Sequence, residues 1–252
     1  MRTTTVAGNW KMNKDADETV ELLTHLITQS NEIPKNVRVI VCPPFTSIAI
    51  AQRMLSGSPY ALGAQNMSHE DEGAFTGEIS AKMLKSVGCS YVIVGHSERR
   101  LYFGETNELI NKKARKALIS GLIPIICVGE TLEEREKGVT EQVISVQIKG
   151  VLKEISEADV VKAIFAYEPV WAIGTGKNAT PQQAAEVHRF IRKLIGQIYS
   201  WAVAEEVVIQ YGGSVKPDNA GALLSQSDID GALVGGGCLK ADSFVKIAVA
   251  GK

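Results

Sequence analysis

Eight short apolar runs punctuate the 252 residues, and almost none of them alternates polar with apolar side chains. They are Thr3 to Asn9, Val37 to Cys42, Tyr60 to Gln65, Tyr91 to Val94, Ile123 to Val128, Val161 to Tyr167, Val207 to Tyr211 and Gly231 to Val234. A strand with one wet face alternates with period two, so runs that are apolar throughout are expected where both faces are covered. Between them lie stretches with helical spacing: about Asp17 to Ser30, Thr46 to Leu55, Ser80 to Val87, Thr106 to Ser120, Thr140 to Glu154, Thr180 to Ile198, Pro217 to Leu224 and Ala241 to Ala250. In the sixth of these, Val187, Phe190, Ile191, Leu194, Ile195 and Ile198 fall on one face.

Eight strand–helix units in about 250 residues predict an α/β chain: one domain over residues 1–252, a (β/α)8 barrel of parallel strands ringed by helices. The open doubly wound sheet is the rival that pattern alone leaves standing. Pro124 cannot donate to a ladder, so it is expected at the first position of its strand.

If the strands run parallel, whatever follows each of them meets on one face, where barrel enzymes work. The first strand contributes Asn9 and Lys11, the third Gln65 and Asn66, and the fourth His96, Ser97 and Glu98. The fifth contributes Cys127 and Glu130, the sixth Glu168, the seventh Gly212, Gly213 and Ser214, and the eighth Gly235, Gly236 and Gly237. The amino ends of the strands show no comparable gathering.

Singly, each has an ordinary explanation. Lys11 can be a solvated cation, His96 a hydrogen-bonded structural imidazole, and Glu98-Arg99-Arg100 a surface ion pair. Together they supply one base, one imidazole, one ammonium, one amide and two glycine turns. Turns after the last two strands of such barrels present backbone N–H groups to a phosphate.

The stretch Ala166 to Lys177 adds a further clue. Its strand ends in a lone acid, Glu168, and Pro169 opens a loop with Trp171, Ile173, Gly174 and Gly176. Helical spacing resumes at Thr180 as N-cap, with Pro181 at the first helical position and Gln183 as capping-box partner. A stiff start, a permissive middle and a fixed end are the parts of a hinged lid.

Other chemistries fit less well. Gly176-Lys177 fails as a P-loop because Trp171 and Asn178 stand where glycine and a hydroxyl residue are needed. Gly174 to Ala179 formally fits a dinucleotide fingerprint, but it does not directly follow its strand, and Arg192 and Lys193 occupy the region where an acid is required. The four cysteines are scattered and expected to be reduced thiols, and no metal-ligand spacing emerges. With 27 basic and 28 acidic residues there is no electrostatic case for nucleic acid or an anionic membrane. No apolar run is long enough to span a bilayer and the start lacks a signal sequence, so a soluble, cytoplasmic protein is expected.

Eight motifs, GNWKMN at Gly8 to Asn13, GAQN at Gly63 to Asn66 with GAFTGE at Gly73 to Glu78, VGHSERR at Val94 to Arg100, CVGE at Cys127 to Glu130, AYEPVWAIGTGK, YGGSV at Tyr211 to Val215 and LVGG at Leu233 to Gly236, resemble the triosephosphate isomerase family over essentially the whole chain. That resemblance implies a TIM barrel that interconverts dihydroxyacetone phosphate and glyceraldehyde 3-phosphate in glycolysis and gluconeogenesis, without a cofactor. It matches Glu168 to the family's general base, His96 to a neutral electrophile, and Lys11 to the cation that stabilises the enediolate and helps hold phosphate. Asn9 matches a positioning residue, and Glu98 the carboxylate near Lys11. Gly174, Ser214, Gly235 and Gly236 match the phosphate-binding backbone, and Pro169 to Ala179 the lid. These acid and base roles are known of that family rather than read from this chain.

The resemblance also implies a homodimer, with the Ser68 to Gly77 loop docking into the partner and Thr76 reaching towards its site. Gly237-Cys238 departs from the Ala-Ser common in the family, and it suggests an oxidisable thiol beside the phosphate turn. Two alternatives stay open: another phosphate-sugar barrel enzyme such as an aldolase, for which Lys11 would have to form a Schiff base, and a barrel that binds phosphate ligands without turnover.

Overall fold

The computed structural model describes residues 2–173 and 179–251. Eight strands close a barrel in chain order, and every neighbouring pair is parallel. They are β1 (Thr4–Asn9), β2 (Val37–Cys42), β3 (Tyr60–Ala64), β4 (Tyr91–Val94), β5 (Ile123–Val128), β6 (Ile164–Tyr167), β7 (Val208–Tyr211) and β8 (Gly231–Val234). The closed order excludes the open sheet.

The helices are α1 (Ala16–Thr28), α2 (Phe45–Leu55), α3 (Ala81–Ser86), α4 (Ser97–Phe103), α5 (Asn107–Ile119), α6 (Leu132–Glu136), α7 (Thr140–Leu152), α8 (Glu157–Val160), α9 (Pro181–Ile198), α10 (Trp201–Glu206), α11 (Pro217–Leu224) and α12 (Ala241–Val249). Four of them, α4, α6, α8 and α10, lie outside the predicted helical stretches. Each spans seven residues or fewer, too short to show two turns of apolar spacing. α8 also takes up residues just before Val161, so β6 starts at Ile164, three residues later than expected.

The expected cap of α9 is present: Thr180 accepts from the Gln183 amide, and the Gln183 side chain accepts from the Thr180 amide. Val187, Ile191, Leu194 and Ile195 of α9 are buried against the barrel, and Phe190 packs at the margin. Two apolar layers result. One lies between strands and helices, and a smaller one inside the barrel includes Ala7, Ile40, Cys42, Ile93, Ile125 and Leu233.

Pro124 is the second residue of β5, not the first. The Ile123 amide bonds to Ser90 on the β4 side, so the Pro124 nitrogen faces β6, whose pairing with β5 begins only at Ile125 and Ile164. No ladder bond is lost, which explains why the position tolerates proline.

The amino ends are not bare, contrary to expectation. Arg2, Arg192, Glu205 and Asp230 cluster there, with ion pairs of 2.6 Å from Arg2 and from Arg192 to Asp230.

Candidate active site

The carboxyl ends of the strands surround a cavity of about 450 Å³ whose wall includes Asn9, Lys11, His96, Glu168, Ser214, Gly235 and Gly236. Glu98 stands behind this wall, with its carboxylate 2.6 Å from the Lys11 ammonium. Gly174, with residues 175–178 of the lid segment, lies outside the described residues.

β1 delivers Asn9 and Lys11. Lys11 has φ of 53°, the left-handed region that side chains avoid. The strain is held from both sides: its amide donates to Asn9 Oδ1 at 3.0 Å, and its carbonyl accepts from Gln65 Nε2 at 2.8 Å. The Lys11 side chain thereby enters the cavity from a backbone pinned by neighbouring strand ends.

Two residues beyond the end of β4 stands His96, the N-cap of α4. Its Nδ1 accepts from the Glu98 amide at 3.2 Å, so that nitrogen carries no proton. Nε2 is therefore the donor, and it meets Glu168 Oε1 at 2.8 Å. The other oxygen, Oε2, accepts from the Ser97 amide at 2.8 Å. A Cβ at position 212 would come within 2.8 Å of Glu168 Cγ, so Gly212 is what lets the carboxylate arm lie flat against the end of β7.

Burial opposes ionisation of Glu168, but the charge and hydrogen bond of His96, the Ser97 amide and Lys11 outweigh it, and its pKa lies below the usual carboxylate value. Burial likewise opposes charging His96, yet Glu168 and then Glu98 outweigh it and the net shift is upward. That upward pull depends on direct contact with Glu168. The Glu98 amide at Nδ1 is built into the helix start and favours the neutral ring whatever Glu168 does.

The sequence reading left out three contributors. The Ser97 amide is backbone and has no side-chain signature; only the N-terminus of α4 would have exposed it. Lys216 and Lys240 also line the cavity. Lys11 is therefore not the sole cation at hand. Their signal was present, a lysine shortly after each glycine turn and directly before a helix.

Cys238 is fully buried, and burial raises its thiol well above the ordinary value. A thiol held protonated out of solvent resists oxidation, so the expected oxidisable group beside the turn is not there. Among the described residues no cluster of three or more His, Cys, Asp or Glu could hold a metal ion. Nor is any helix among them long and apolar enough to cross a membrane.

A family model described as triosephosphate isomerase matches residues 4–251. The chain belongs to the triosephosphate isomerase family. A triosephosphate isomerase from Caldanaerobacter subterraneus subsp. tengcongensis is 53% identical over 247 residues, covering 98% of this chain and 99% of the relative. One from Fusobacterium nucleatum subsp. nucleatum is 51% identical over 251 residues and covers both chains completely. Another, from Endomicrobium trichonymphae, is 53% identical over 247 residues and covers 98% of each. Membership in the triosephosphate isomerase family accounts for the closed parallel barrel.

Proposed function

We propose that this protein, with residues 1–252 acting as one barrel domain, interconverts dihydroxyacetone phosphate and D-glyceraldehyde 3-phosphate through an enediol or enediolate. The reading is carried by the Glu168–His96 pair. A carboxylate held ionised lies 2.8 Å from an imidazole N–H, at the wall of a cavity sized for a small sugar phosphate.

A proton on carbon beside a carbonyl is weakly acidic, so a base must act together with donors aimed at the oxygen that becomes negative. Glu168 is the base, moving the proton between the two carbons that flank the carbonyl. His96, neutral with Nε2–H forward, donates to the carbonyl oxygen once substrate separates it from Glu168. Lys11, braced by Glu98, adds a fixed positive charge for the enediolate, and Asn9 fixes the Lys11 backbone. Ser214, Gly235 and Gly236, with Gly174 of the lid, offer amides to the phosphate. The tight Lys11–Glu98 ion pair disfavours a Schiff-base lysine, which must be free and uncharged to attack a carbonyl.

The protein acts as a cytoplasmic homodimer in glycolysis and gluconeogenesis. In support of the dimer, Met12 is 96% exposed and Leu101, Tyr102 and Phe103 are 66% exposed or more, at the same end as Phe75 and Thr76 of the Ser68 to Gly77 loop. Apolar surface on that scale needs a cover. Sedimentation velocity should give twice the chain mass; a monomer at micromolar concentration rules the dimer out.

A coupled assay supplying D-glyceraldehyde 3-phosphate tests the activity. Steady formation of dihydroxyacetone phosphate is expected, and a folded protein that binds phosphate ligands without turnover overturns the proposal.

A further inference from the structure

Behind the Glu168–His96 pair, on the solvent side of β4 and β5, a second cleft of about 520 Å³ opens between α5 and α7. Arg100, Asn107 and Gln147 reach it, and none of them touches the cavity where substrate would sit. Instead of pairing with its acidic neighbour Glu98, Arg100 spends its guanidinium on two backbone carbonyls and one side-chain amide. Nε donates to the Gly95 carbonyl at 3.0 Å, Nη2 to the Cys127 carbonyl at 3.1 Å, and Nη1 to Asn107 Oδ1 at 2.7 Å. The Gly95 carbonyl belongs to the peptide joined directly to His96.

Gln147 does the same for the acid. Its side-chain amide makes both bonds to one residue, accepting from the Gly129 amide at 2.8 Å and donating to the Gly129 carbonyl at 2.9 Å. Gly129 is pressed so closely on the acid that a Cβ there would overlap the Glu168 carbonyl oxygen. The Glu168 amide in turn bonds to Val128, the residue before Gly129, at 2.7 Å.

We propose that Arg100 and Gln147 form a positioning brace, fixing the backbone under His96 and under Glu168 so that imidazole and carboxylate keep one separation. The physical reason lies in how little slack each group has. Gly95 sits at φ of 69°, a conformation that lets the peptide turn sharply into the helix cap, and a free peptide there could rotate. Arg100 bonds the carbonyl of that peptide and ties it to the neighbouring strand. The Gly129 peptide follows the last residue of β5, beyond the strand ladder, and Gln147 supplies both bonds it would otherwise lack. Proton transfer is steep in distance, and a misplacement of about 1 Å can cost about a hundredfold in rate. A brace of this kind acts on turnover and leaves phosphate binding alone.

This inference rests on the roles given above to Glu168 and His96, so the test separates the two. In the wild-type background, Arg100→Ala and Gln147→Leu should each lower kcat about tenfold or more while KM changes less than twofold. Arg100→Lys, which keeps charge but not the three-way fork, should fall between. Because the cleft is open, methylguanidinium should restore several-fold of the lost kcat in Arg100→Ala and do nothing for wild type or Gln147→Leu. Thermal unfolding run alongside reports folding.

A kcat within twofold of wild type in folded Arg100→Ala or Gln147→Leu, whatever happens to Tm, overturns the brace. So does a loss that methylguanidinium cannot recover. If Arg100→Ala does not fold, Arg100→Lys and Gln147→Leu decide by the same kcat criterion. Normal kcat in these variants with an inactive Glu168→Ala sinks the brace alone, whereas a fully active Glu168→Ala sinks the reading of the site as well.

Discussion

The two ends of the barrel hold similar inventories of charge and use them in opposite ways. At the amino end, Asp230 is bound by Arg2, by Arg192 and by the Ile209 amide at 2.9 Å, and Arg192 also donates to the carbonyls of Ala204 and Val207. Within this cluster nearly every donor is used on another part of the protein. At the carboxyl end, Lys11, Lys216, Lys240, His96 and Glu168 converge on an empty volume with few partners apart from one another. Saturated charges lock strands together; unsaturated ones around a hole wait for a ligand. The same residue types thus give stability at one end and chemistry at the other, in keeping with the division of labour in barrels of this kind.

The sharpest attack on this contrast is at the carboxyl end. Glu168→Ala should lower kcat by two to four decades, about 3 to 5 kcal/mol, while affinity for a phosphate ligand falls far less. Its unfolding midpoint should move little. Steady-state kinetics beside urea unfolding checks both, and near-normal turnover removes Glu168 from the role of base.

The reverse pattern is expected of Asp230→Ala. It removes the 2.6 Å carboxylate partner of Arg192, a side chain 2% exposed, and leaves only the longer 3.4 Å contact to Asp228. Breaking a buried pair by removing one member costs about 3 kcal/mol or more. Stability measured in urea should fall by that amount while kcat at a temperature where the variant is folded stays within about twofold. A tenfold loss of kcat would mean that the two ends are not separable.

His188 belongs with the structural group at the amino end, bonded through one ring nitrogen only. It lies on α9 one turn before Arg192, its Nδ1 is 3.2 Å from the Asp228 carbonyl, and it is fully buried. Burial, aided by the nearby Arg192 charge, holds its pKa down at about 3 against an ordinary 6.5. The unfolded chain takes up this proton and the folded one does not. The stabilising contribution is therefore complete above about pH 6.5 and is lost as pH falls towards about 3, at about 1.4 kcal/mol per pH unit. Between pH 6.5 and pH 5, wild type should lose about 2 kcal/mol more than His188→Asn does. Equal slopes for the two proteins would show that His188 is charged or hydrated in the fold.

The contrast between the ends also shows what the amino-acid sequence could disclose. Strand cores were plain because both faces of β4, β6 or β8 are buried and their residues must be apolar along the whole run. The side chains that meet the cavity, Asn9, Lys11, His96 and Glu168, were equally plain, since a polar residue immediately after such a run stands out. Saturated networks left no such mark. Arg100 stands beside Glu98 and Arg99 and reads as part of a surface ion pair, yet Glu98 pairs with Lys11, Arg99 with Glu105 at 2.5 Å, and Arg100 with two carbonyls and Asn107. Asp230 and Arg192 are 38 positions apart and meet only through tertiary structure. The Ser97 amide has no side-chain identity at all. What faces the cavity from a strand end is encoded locally; what holds the cavity in shape depends on distant partners and on the backbone.

The finest test removes the same charge from each end. Lys240 lines the carboxyl-end cavity, whereas Lys35 and Arg38 line a larger cleft of about 1020 Å³ at the amino ends. Neither Lys35 nor Arg38 has an ion-pair partner among the described residues, so all three cations are free to act at a distance. The chain as a whole has a formal charge of −1, which gives a phosphate dianion no general attraction. Any steering must come from local charge near the mouth of the site. A cation about 8 Å from a dianion in water contributes about 1 kcal/mol, roughly fivefold in encounter. At physiological ionic strength, with a screening length of about 8 Å, much of that disappears. Lys240→Met should therefore lower kcat/KM by about threefold to fivefold at low salt with kcat unchanged, and the gap should close as salt is added. Lys35→Met and Arg38→Met remove equal charge from the far end of the same barrel and should leave kcat/KM at the wild-type value at every salt concentration. If all three variants lose the same factor, the dianion responds to net charge alone and the carboxyl end has no privileged field.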